Sequence, residues 1–358
     1  MAQEKTGRPV DVVFCLDLSS SSNGLIDHLR NNMWSFWYFF NRCKPQPNYR
    51  IGLVTYARFS YGKQNGYSKV MVDLTTDFDK MSNVMYKIPS RIEKGDQYVG
   101  AALNMCLTKV NWSKNPEALK IIILVGNGDA TTGLVDIDQI MDKIVAKNII
   151  VNTVYCTVPG EHKAVKGWER IAQRGHGIIR TIAIKNRYFD RLNGFDILKF
   201  RALNRRFNNT YLYYGKTGKY RNRLLQEADN NSYISNTEGY RYRSLYKISD
   251  DYQRKNDNWD LVDLYYRNPV GFMDVDRLTM NDSCKKLSNE QLKAYIIYKK
   301  YERRKISAMM AEMITNKELK DREEGKKVAR NMPTLDLVSL KLLRDLLKEN
   351  GCECPNIQ

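Results

Sequence analysis

Two hydrophobic periodicities alternate along the first 185 residues of the chain. Short apolar runs rich in β-branched residues occur at Val10–Leu18, Ile51–Tyr56, Val70–Leu74, Ile121–Val125, Ile149–Cys156 and Gly177–Ile182. Between most of them, apolar residues recur at helical spacing, at 24–41, 79–88, 97–110, 135–147 and 164–174. This alternation predicts an α/β domain on a doubly wound, mostly parallel six-stranded sheet. The short link before Val70–Leu74 predicts that this run is an antiparallel edge strand in a hairpin with Ile51–Tyr56.

The pattern changes after about residue 186. Residues 187–255 are rich in Tyr, Arg and Asn, and their apolar positions follow neither period clearly. We therefore predict a few helical turns and long ordered loops that are packed by the tyrosines. Further on, Ser288 and Gln291 have the spacing of a capping box, which predicts a long helix from there to about Arg330. A final leucine-rich helix is expected after Pro333.

These patterns divide the chain into an α/β domain and a mainly α-helical, loop-rich extension. The predicted segments are a lead-in at 1–9, the α/β domain at 10–186, a Tyr/Arg-rich extension at 187–287, and the long helix with the leucine-rich helix at 288–358. No apolar run approaches the roughly 18 residues that suggest a membrane-spanning helix. We therefore predict no transmembrane segment.

The basic charge of the chain is concentrated in its middle. The formal net charge is +18, and residues 151–250 alone carry 19 Lys and Arg against 8 Asp and Glu. Such an excess suits a nucleic acid, an acidic protein or an anionic surface as a partner, and solvated surface charge explains it equally well. The mixture of Arg and Tyr at 201–250 is typical of nucleic-acid stacking. A loop-rich segment also needs that mixture to build its own core, and we favour this second interpretation.

The seven cysteines give no strong sign of a metal site or of an enzyme nucleophile. Cys15 and Cys156 lie in apolar strands and Cys106 in a predicted helix, where cysteine serves as a small core residue. Cys352 and Cys354 form a C-x-C pair with no matching cluster, which argues against zinc. The histidines are scattered, and neither a phosphate-binding loop nor a G-x-S-x-G motif occurs. We therefore predict that the protein is not an enzyme.

The first predicted strand ends in a carboxylate followed by four serines, in the stretch DVVFCLDLSSSSNG at 11–24. Ligands of open α/β sheets bind beyond the carboxyl ends of the strands, and Asp17, Ser19 and Ser21 fall at that edge. Their oxygens are hard ligands of the kind that Mg²⁺, Mn²⁺ and Ca²⁺ prefer. A structural alternative is that Ser21 or Ser22 caps the helix predicted from residue 24.

Further stretches accompany this motif along the first 185 residues: YRIGLVTYA, GDQYVGAAL, ALKIIILVGNGDA, KNIIVNTVYC and WERIAQRGHGIIRTI. Together with DVVFCLDLSSSS they resemble a von Willebrand factor type A domain. The resemblance implies that D-x-S-x-S is the first part of a metal-ion-dependent adhesion site. In that family a Thr from a second loop and an Asp from a third loop complete the site. The cation keeps an open coordination position, which a carboxylate of a partner protein fills.

Both of the remaining loops depart from the family pattern. The second loop reads KGDQYVGAAL, which puts Gln97 at the Thr position with Asp96 beside it as an alternative ligand. The third loop reads VGNGDA, which puts Asn127 at the Asp position and Asp129 two residues further on. The resemblance thus implies a variant site for Mg²⁺, or for Mn²⁺ or Ca²⁺, with ligands drawn from Asp17, Ser19, Ser21, Asp96, Gln97, Asn127 and Asp129. A degenerate site that binds no metal is the alternative.

A second, shorter resemblance concerns the extension. The stretches FNNTYLYYGKTGKYRNRLLQEADNN and NWDLVDLYY resemble a tail that follows this domain in some secreted or periplasmic bacterial proteins. The start, MAQEK, is similar to the stub that remains after signal-peptide cleavage. These features imply an extracytoplasmic protein, periplasmic or secreted, with its signal peptide removed. A cytoplasmic protein with an ordinary start is the alternative.

Three functions are consistent with these observations. The first is a non-enzymatic protein-binding module for adhesion or assembly, in which a cation at the variant site accepts an acidic group from a partner protein. The second is a structural subunit of a multiprotein assembly, which has a degenerate metal site and contacts its partners through the basic C-terminal half. RNA binding ranks third because no standard RNA-binding motif occurs, so nucleic acid is not the expected partner.

Overall fold

The computed structural model describes residues 7–22, 24–89, 93–157, 165–184, 195–235, 237–323 and 334–357. The chain divides into two units. The first comprises Met1–Tyr188 together with Arg330–Gln358, and the second comprises Phe189–Ala329. The last helix of the chain therefore belongs to the α/β unit, although the second unit stands between them in sequence. The finer segment boundaries given above remain predictions.

Within the described part of the first unit, six strands form one sheet, and all are parallel except one at the edge. The strands are β1 Pro9–Asp17, β2 Asn48–Tyr56, β3 Lys69–Thr75, β4 Leu119–Gly126, β5 Ile149–Thr157 and β6 Ile179–Ala183. Their order is β3-β2-β1-β4-β5-β6, with β3 antiparallel to β2. The doubly wound sheet and its antiparallel edge strand are thus confirmed. The strand order reverses direction between β1 and β4, which is where ligands bind in sheets of this kind.

The helices make up most of the remaining described structure. In chain order they are α1 Leu25–Phe40, α2 Phe78–Lys87, α3 Val99–Lys109, α4 Ile137–Val145, α5 Val165–Arg174, α6 Ile197–Asn208, α7 Gly215–Ser235, α8 Thr237–Ile248, α9 Asp250–Gln253, α10 Leu261–Arg267, α11 Pro269–Met273, α12 Asp282–Lys285, α13 Asn289–Glu323 and α14 Leu335–Glu349. In the first unit, apolar side chains of α3, α4 and α5 share a core with β1, β2, β4 and β5. Helix α1 packs against α2 and α14, and it buries Trp34, Phe36 and Phe40. The leucines of α14, such as Leu343 and Leu347, are buried as well, which explains why this helix joins the α/β unit.

The second unit is mainly helical, and this includes most of the Tyr/Arg-rich segment. The prediction of long ordered loops for 187–255 is therefore wrong over 197–248, where α6, α7 and α8 follow one another. The apolar residues of this segment show no clear helical period, because tyrosines and long basic residues, rather than leucines, occupy the buried positions of its helices. Tyr240, Arg243 and Lys247 of α8 are all buried.

Part of the basic charge of this unit is internal. Arg243 and Lys247 are fully buried, and their nitrogens lie 3.1 and 2.5 Å from the two carboxylate oxygens of Asp229. Arg303 is also buried, and its Nη1 lies 2.9 Å from a carboxylate oxygen of Asp260. These buried cations are paired with buried carboxylates, so they belong to the core of the unit and not to its surface. This supports the interpretation that the segment uses its Arg and Tyr residues to build a core.

The long helix α13 begins where the sequence predicts. The backbone N–H of Ser288 donates to Gln291 Oε1 at 2.9 Å, and the backbone N–H of Gln291 donates to the Ser288 hydroxyl at 3.2 Å, so the capping box is confirmed. The predicted continuation to Arg330 lies outside the described residues, as do residues 187–194 of the Tyr/Arg-rich segment. Among the described helices, none is both long and apolar enough to cross a bilayer.

Candidate functional site

Strand β1 ends in a buried carboxylate, and the serine loop folds around it. Asp17, the last residue of β1, is 0% exposed. Its Oδ1 accepts a hydrogen bond from the backbone N–H of Ser19 at 2.7 Å, and its Oδ2 accepts one from the hydroxyl of Ser22 at 2.7 Å. The loop makes one 3₁₀ turn at Ser20–Ser22. The alternative that Ser21 or Ser22 caps α1 is wrong, because the N-cap is Gly24 and no side chain caps it. Ser22 is instead a direct partner of Asp17.

The loop after β4 supplies a further oxygen beside the serines. Asn127 follows β4 directly and is buried. The Ser21 hydroxyl donates to Asn127 Oδ1 at 2.9 Å, and the Asn127 amide donates to the carbonyl of Ser21 at 3.3 Å. The hydroxyl oxygens of Ser19 and Ser21 lie 3.0 Å apart. Because β1 and β4 are parallel neighbours, their carboxyl ends bring both loops to one edge of the sheet.

The second loop places an amide nitrogen at the point where these oxygens converge. Gln97 lies two residues before α3, and its Nε2 is 2.6 Å from Asp17 Oδ2 and 2.6 Å from Asn127 Oδ1. The same nitrogen is 3.0 Å from Ser19 Oγ and 3.3 Å from Ser21 Oγ. An amide NH₂ group has two hydrogens, so it cannot donate to all four oxygens at once. Oxygens from two loops thus surround one donor nitrogen, much as ligands surround a cation.

Two glycines leave the room that this arrangement needs. A Cβ at Gly126 would lie 2.8 Å from Asp17 Cβ and 2.4 Å from the hydroxyl of Tyr56. Gly128 has a φ of +73°, and a Cβ there would lie 2.4 Å from Gln97 Oε1. A side chain at either position would therefore displace a residue of the site. The glycines on both sides of Asn127 carry this signal in the sequence, beside the asparagine that the family pattern indicates.

Two acidic residues considered as ligands lie outside the cluster. Asp129 is exposed, and its carboxylate accepts hydrogen bonds from the backbone N–H and the hydroxyl of Thr131 at 2.9 and 2.7 Å, which lower its pKa. Asp96 is also exposed, and a hydrogen bond to its carboxylate raises the pKa of Tyr98. Both carboxylates are engaged within their own loops. Ligation by either of them remains a prediction that needs a change of loop conformation.

Asp17 carries the only formal charge in the cluster formed by Asp17, Ser19, Ser21, Gln97 and Asn127. Burial raises its pKa above the usual value, and hydrogen bonds from Ser19, Ser22 and Gln97 oppose that rise. Burial disfavours the ionised form of a carboxyl group because it removes the water around the charge. A positive charge at the centre of the cluster would offset this effect.

A family model for the von Willebrand factor type A domain matches residues 11–194. The match spans just over half of the chain, and the chain belongs to this family. Domains of this family are typically non-enzymatic modules that bind other proteins. That the oxygen cluster is a metal-ion-dependent adhesion site (MIDAS) stays a prediction from the resemblance.

Solved structures with this fold match the chain at low identity. An aerotolerance-related membrane protein from Bacteroides fragilis is 15% identical, over 48% of this chain and 91% of its own, with a TM-score of 0.35. Proximal thread matrix protein 1 from the mussel byssus, in a structure with a zinc-occupied MIDAS motif, is 18% identical over 50% of this chain and 42% of its own, with a TM-score of 0.37. The SpRpn10 VWA domain is 14% identical over 49% of this chain and 89% of its own, with a TM-score of 0.36. No curated protein matches the chain, and identities this low bear on the fold alone.

Proposed function

We propose that the first unit is a protein-binding module whose ligand face is the oxygen cluster at the carboxyl edge of the sheet. Family membership supports a protein-interaction role in general. The specific proposal depends on one observation: oxygens of Asp17, Ser19, Ser21 and Asn127 converge within 3.3 Å of a single point. A divalent cation at that point would meet a carboxylate, two hydroxyls and an amide oxygen, which are ligands that hard cations prefer.

These residues fit a divalent cation after one movement within the site. The nitrogen of Gln97 stands at the point of convergence, and an amide nitrogen that carries hydrogens donates rather than ligates. The position therefore opens when the Gln97 side chain withdraws or turns its Oε1 toward the other oxygens. We propose Mg²⁺ first, with Mn²⁺ and Ca²⁺ as alternatives, because all of the ligands are oxygens.

The composition of the cluster favours an acidic ligand on the partner protein. Asp17 is its single charged residue, because Asn127 stands where the family pattern has Asp. The cluster would therefore leave a bound dication with a net positive charge. Ser21 is exposed, so the cluster can be reached from solvent. An acidic side chain of a partner would complete the coordination and neutralise the charge.

One observation favours a second candidate, a structural subunit of an assembly that works without metal. The Gln97 amide already donates to Asp17 and Asn127, so the cluster has a donor at its centre in the absence of a cation. In that case partner binding would survive a chelator. It would use other surfaces, among them the basic second unit, and would weaken as salt is added.

We also propose that the protein works outside the cytoplasm, in the periplasm or as a secreted protein. The disulfide between Cys43 and Cys354 supports this location, because disulfides persist in oxidising compartments. Fractionation of the source cells with an antibody against the chain tests the proposal. Detection in the cytoplasmic fraction alone would contradict it.

A calorimetric titration tests the metal-dependent function. Chelator-treated protein is titrated with Mg²⁺, Mn²⁺ and Ca²⁺, beside Asp17→Ala and the matched control Asp142→Ala, an exposed aspartate on α4. We expect saturable binding by the wild type and by Asp142→Ala, and none by Asp17→Ala. Failure of the wild-type protein to bind any of the three cations would replace this proposal with the metal-free one.

Acetate serves as a probe for the partner's acidic group. Mn²⁺ bound to the protein enhances the relaxation of water protons, and acetate at the open position would displace water and reduce that enhancement. An enhancement that acetate leaves unchanged would contradict the acidic-ligand part of the proposal.

A further inference from the structure

Three cysteines from distant parts of the sequence meet near the end of the chain. Cys43 follows α1, whereas Cys352 and Cys354 follow α14, and we call these three residues the thiol cluster. Cys43 and Cys354 form a disulfide across a sequence separation of 311 residues, and Cys352 Sγ lies 3.8 Å from Cys354 Sγ. In the sequence the C-x-C pair has no matching cluster, which argues against zinc. In the fold this premise is wrong, because Cys43 lies beside the pair.

The backbone holds the two segments of the thiol cluster in register. Lys44 N–H donates to the carbonyl of Glu353 at 2.7 Å, and Glu353 N–H donates to the carbonyl of Lys44 at 2.8 Å. This antiparallel pairing is independent of the sulfur atoms. The cysteines on both segments would therefore stay close when the disulfide is reduced.

The thiol cluster contains one cysteine more than a covalent link requires. Cys352 is 7% exposed, its thiol donates to the carbonyl of Pro45 at 3.1 Å, and the disulfide does not use it. All three sulfur atoms lie within 4.8 Å of one another. In a tetrahedral zinc site with Zn–S bonds of about 2.3 Å, two thiolates stand about 3.8 Å apart. The spacing of Cys352 and Cys354 matches that edge.

We propose that the reduced thiol cluster binds a thiophilic divalent cation, with Zn²⁺ as the best match, through the thiolates of Cys43, Cys352 and Cys354. The described residues supply no fourth Cys, His, Asp or Glu to this group, so the fourth position is open to water or to an outside ligand. Formation of the disulfide removes two of the three ligands and releases the cation. The cluster thus has two states, a metal site when reduced and a covalent link when oxidised.

A small-molecule disulfide is the oxidant that converts one state into the other. The Cys43 thiolate attacks one sulfur of the oxidant, which gives a mixed disulfide and releases one small thiol. The Cys354 thiolate then attacks the Cys43 sulfur, which forms the protein disulfide and releases the second small thiol. Two electrons pass from the cysteine pair to the small-molecule disulfide. The cation leaves without a change in its own charge.

Co²⁺ is a suitable probe, because thiolate ligation gives it a strong charge-transfer absorption. Full-length protein that carries Asp17→Ala, which silences the candidate adhesion site, is treated with a phosphine reductant and a chelator and then titrated with Co²⁺. We expect about one equivalent of thiolate-bound Co²⁺ that Zn²⁺ displaces, and none after oxidation with a small-molecule disulfide. Absence of thiolate-bound Co²⁺ in the reduced protein would overturn the proposal.

Cys352→Ser separates a metal site from a simple disulfide link. This variant keeps the Cys43–Cys354 pair, so we expect the disulfide to form normally while Co²⁺ affinity falls at least tenfold. The matched control is Cys284→Ser, a buried cysteine of the second unit, which should bind Co²⁺ as before. Equal affinity in Cys352→Ser and the control would contradict the proposal.

Protection of the thiols from alkylation tests the three-thiolate site in the wild-type protein, without a variant. Zn²⁺ should protect Cys43, Cys352 and Cys354 together from alkylation in the reduced protein, as read by mass spectrometry of peptides. Protection of none of them, or of Cys43 and Cys354 without Cys352, would refute a three-thiolate site.

Discussion

The substitution Gln97→Thr should strengthen the binding of divalent cations at the oxygen cluster. In the structure the Gln97 amide nitrogen occupies the position that a cation needs, at 2.6 Å from oxygens of both Asp17 and Asn127. A cation must therefore break these two contacts before it binds. Thr removes the competing amide and offers a hydroxyl oxygen, which is the group that the family pattern has at this position.

The expected gain is set by the two hydrogen bonds that the amide makes. A hydrogen bond to a charged group such as Asp17 contributes about 1.5–3 kcal/mol, and one to a neutral group such as Asn127 about 0.5–1.5 kcal/mol. Together they oppose cation binding by about 2–4.5 kcal/mol. At about 1.4 kcal/mol for each factor of ten, Kd should fall roughly 30- to 1,600-fold in the variant.

Calorimetric titration with Mg²⁺ and Mn²⁺ measures this difference directly. The matched control is Gln139→Thr, an exposed glutamine on α4, which should bind cations as the wild type does. Equal affinities of Gln97→Thr and the wild type would show that the amide does not compete with the cation. Absence of binding in both proteins would refute the cation site itself.

Three further substitutions test other parts of the account. Asp17→Asn removes a buried carboxylate charge. Because burial raises the pKa of Asp17, this charge opposes folding at pH 7, and the opposition fades as the pH falls toward 4. We expect a higher Tm at neutral pH, a smaller gain at low pH, and loss of cation binding. Gly128→Ala strains a backbone with a φ of +73° and pushes the Gln97 side chain aside, so it should lower the free energy of unfolding by about 1–2 kcal/mol and tighten cation binding. Lys247→Met leaves Asp229 without one of its buried partners and should lower the free energy of unfolding by about 3–5 kcal/mol in urea denaturation.

Each of these substitutions has a comparison that would contradict its explanation. A lower Tm for Asp17→Asn at neutral pH would mean that the hydrogen bonds of the carboxylate outweigh its burial. Gly215 has the same φ of +73° but nothing within 4 Å of its Cβ position, so Gly215→Ala should leave cation affinity unchanged. If it matches Gly128→Ala in tightening cation binding, displacement of Gln97 is not the cause. Arg205 is exposed, so Arg205→Met should change the free energy of unfolding by less than about 0.5 kcal/mol. A change equally small in Lys247→Met would contradict the explanation from buried charge.

The strands of the first unit could be predicted because each is a short apolar run between helical segments. The predicted runs Val10–Leu18 and Ile121–Val125 nearly coincide with β1 and β4. Asp17 is the last residue of β1, and Asn127 directly follows β4. The motif spacing also placed Gln97 in the second loop. What the sequence could not show is the direction of the Gln97 amide, since that depends on four oxygens that only the folded sheet edge brings together.

Two further features were beyond the reach of sequence patterns. In α8 the inward positions are taken by residues such as Tyr240 and Arg243, which an apolar pattern counts as polar or ambiguous. The partner of the C-x-C pair, Cys43, lies more than 300 residues away, and only the packing of α14 on α1 brings the segments together. Long-range pairings of this kind leave no local periodicity in the sequence.

Anomalous diffraction from crystals grown with Mn²⁺ and acetate shows whether a cation binds at the oxygen cluster. We expect an anomalous peak at the carboxyl edge of the sheet, ligated by oxygens of Asp17, Ser19, Ser21 and Asn127, with acetate on the exposed side. We also expect that the Gln97 amide nitrogen has left the centre of the cluster. A map that shows no manganese there, with the Gln97 amide still between Asp17 and Asn127, would refute the cation site.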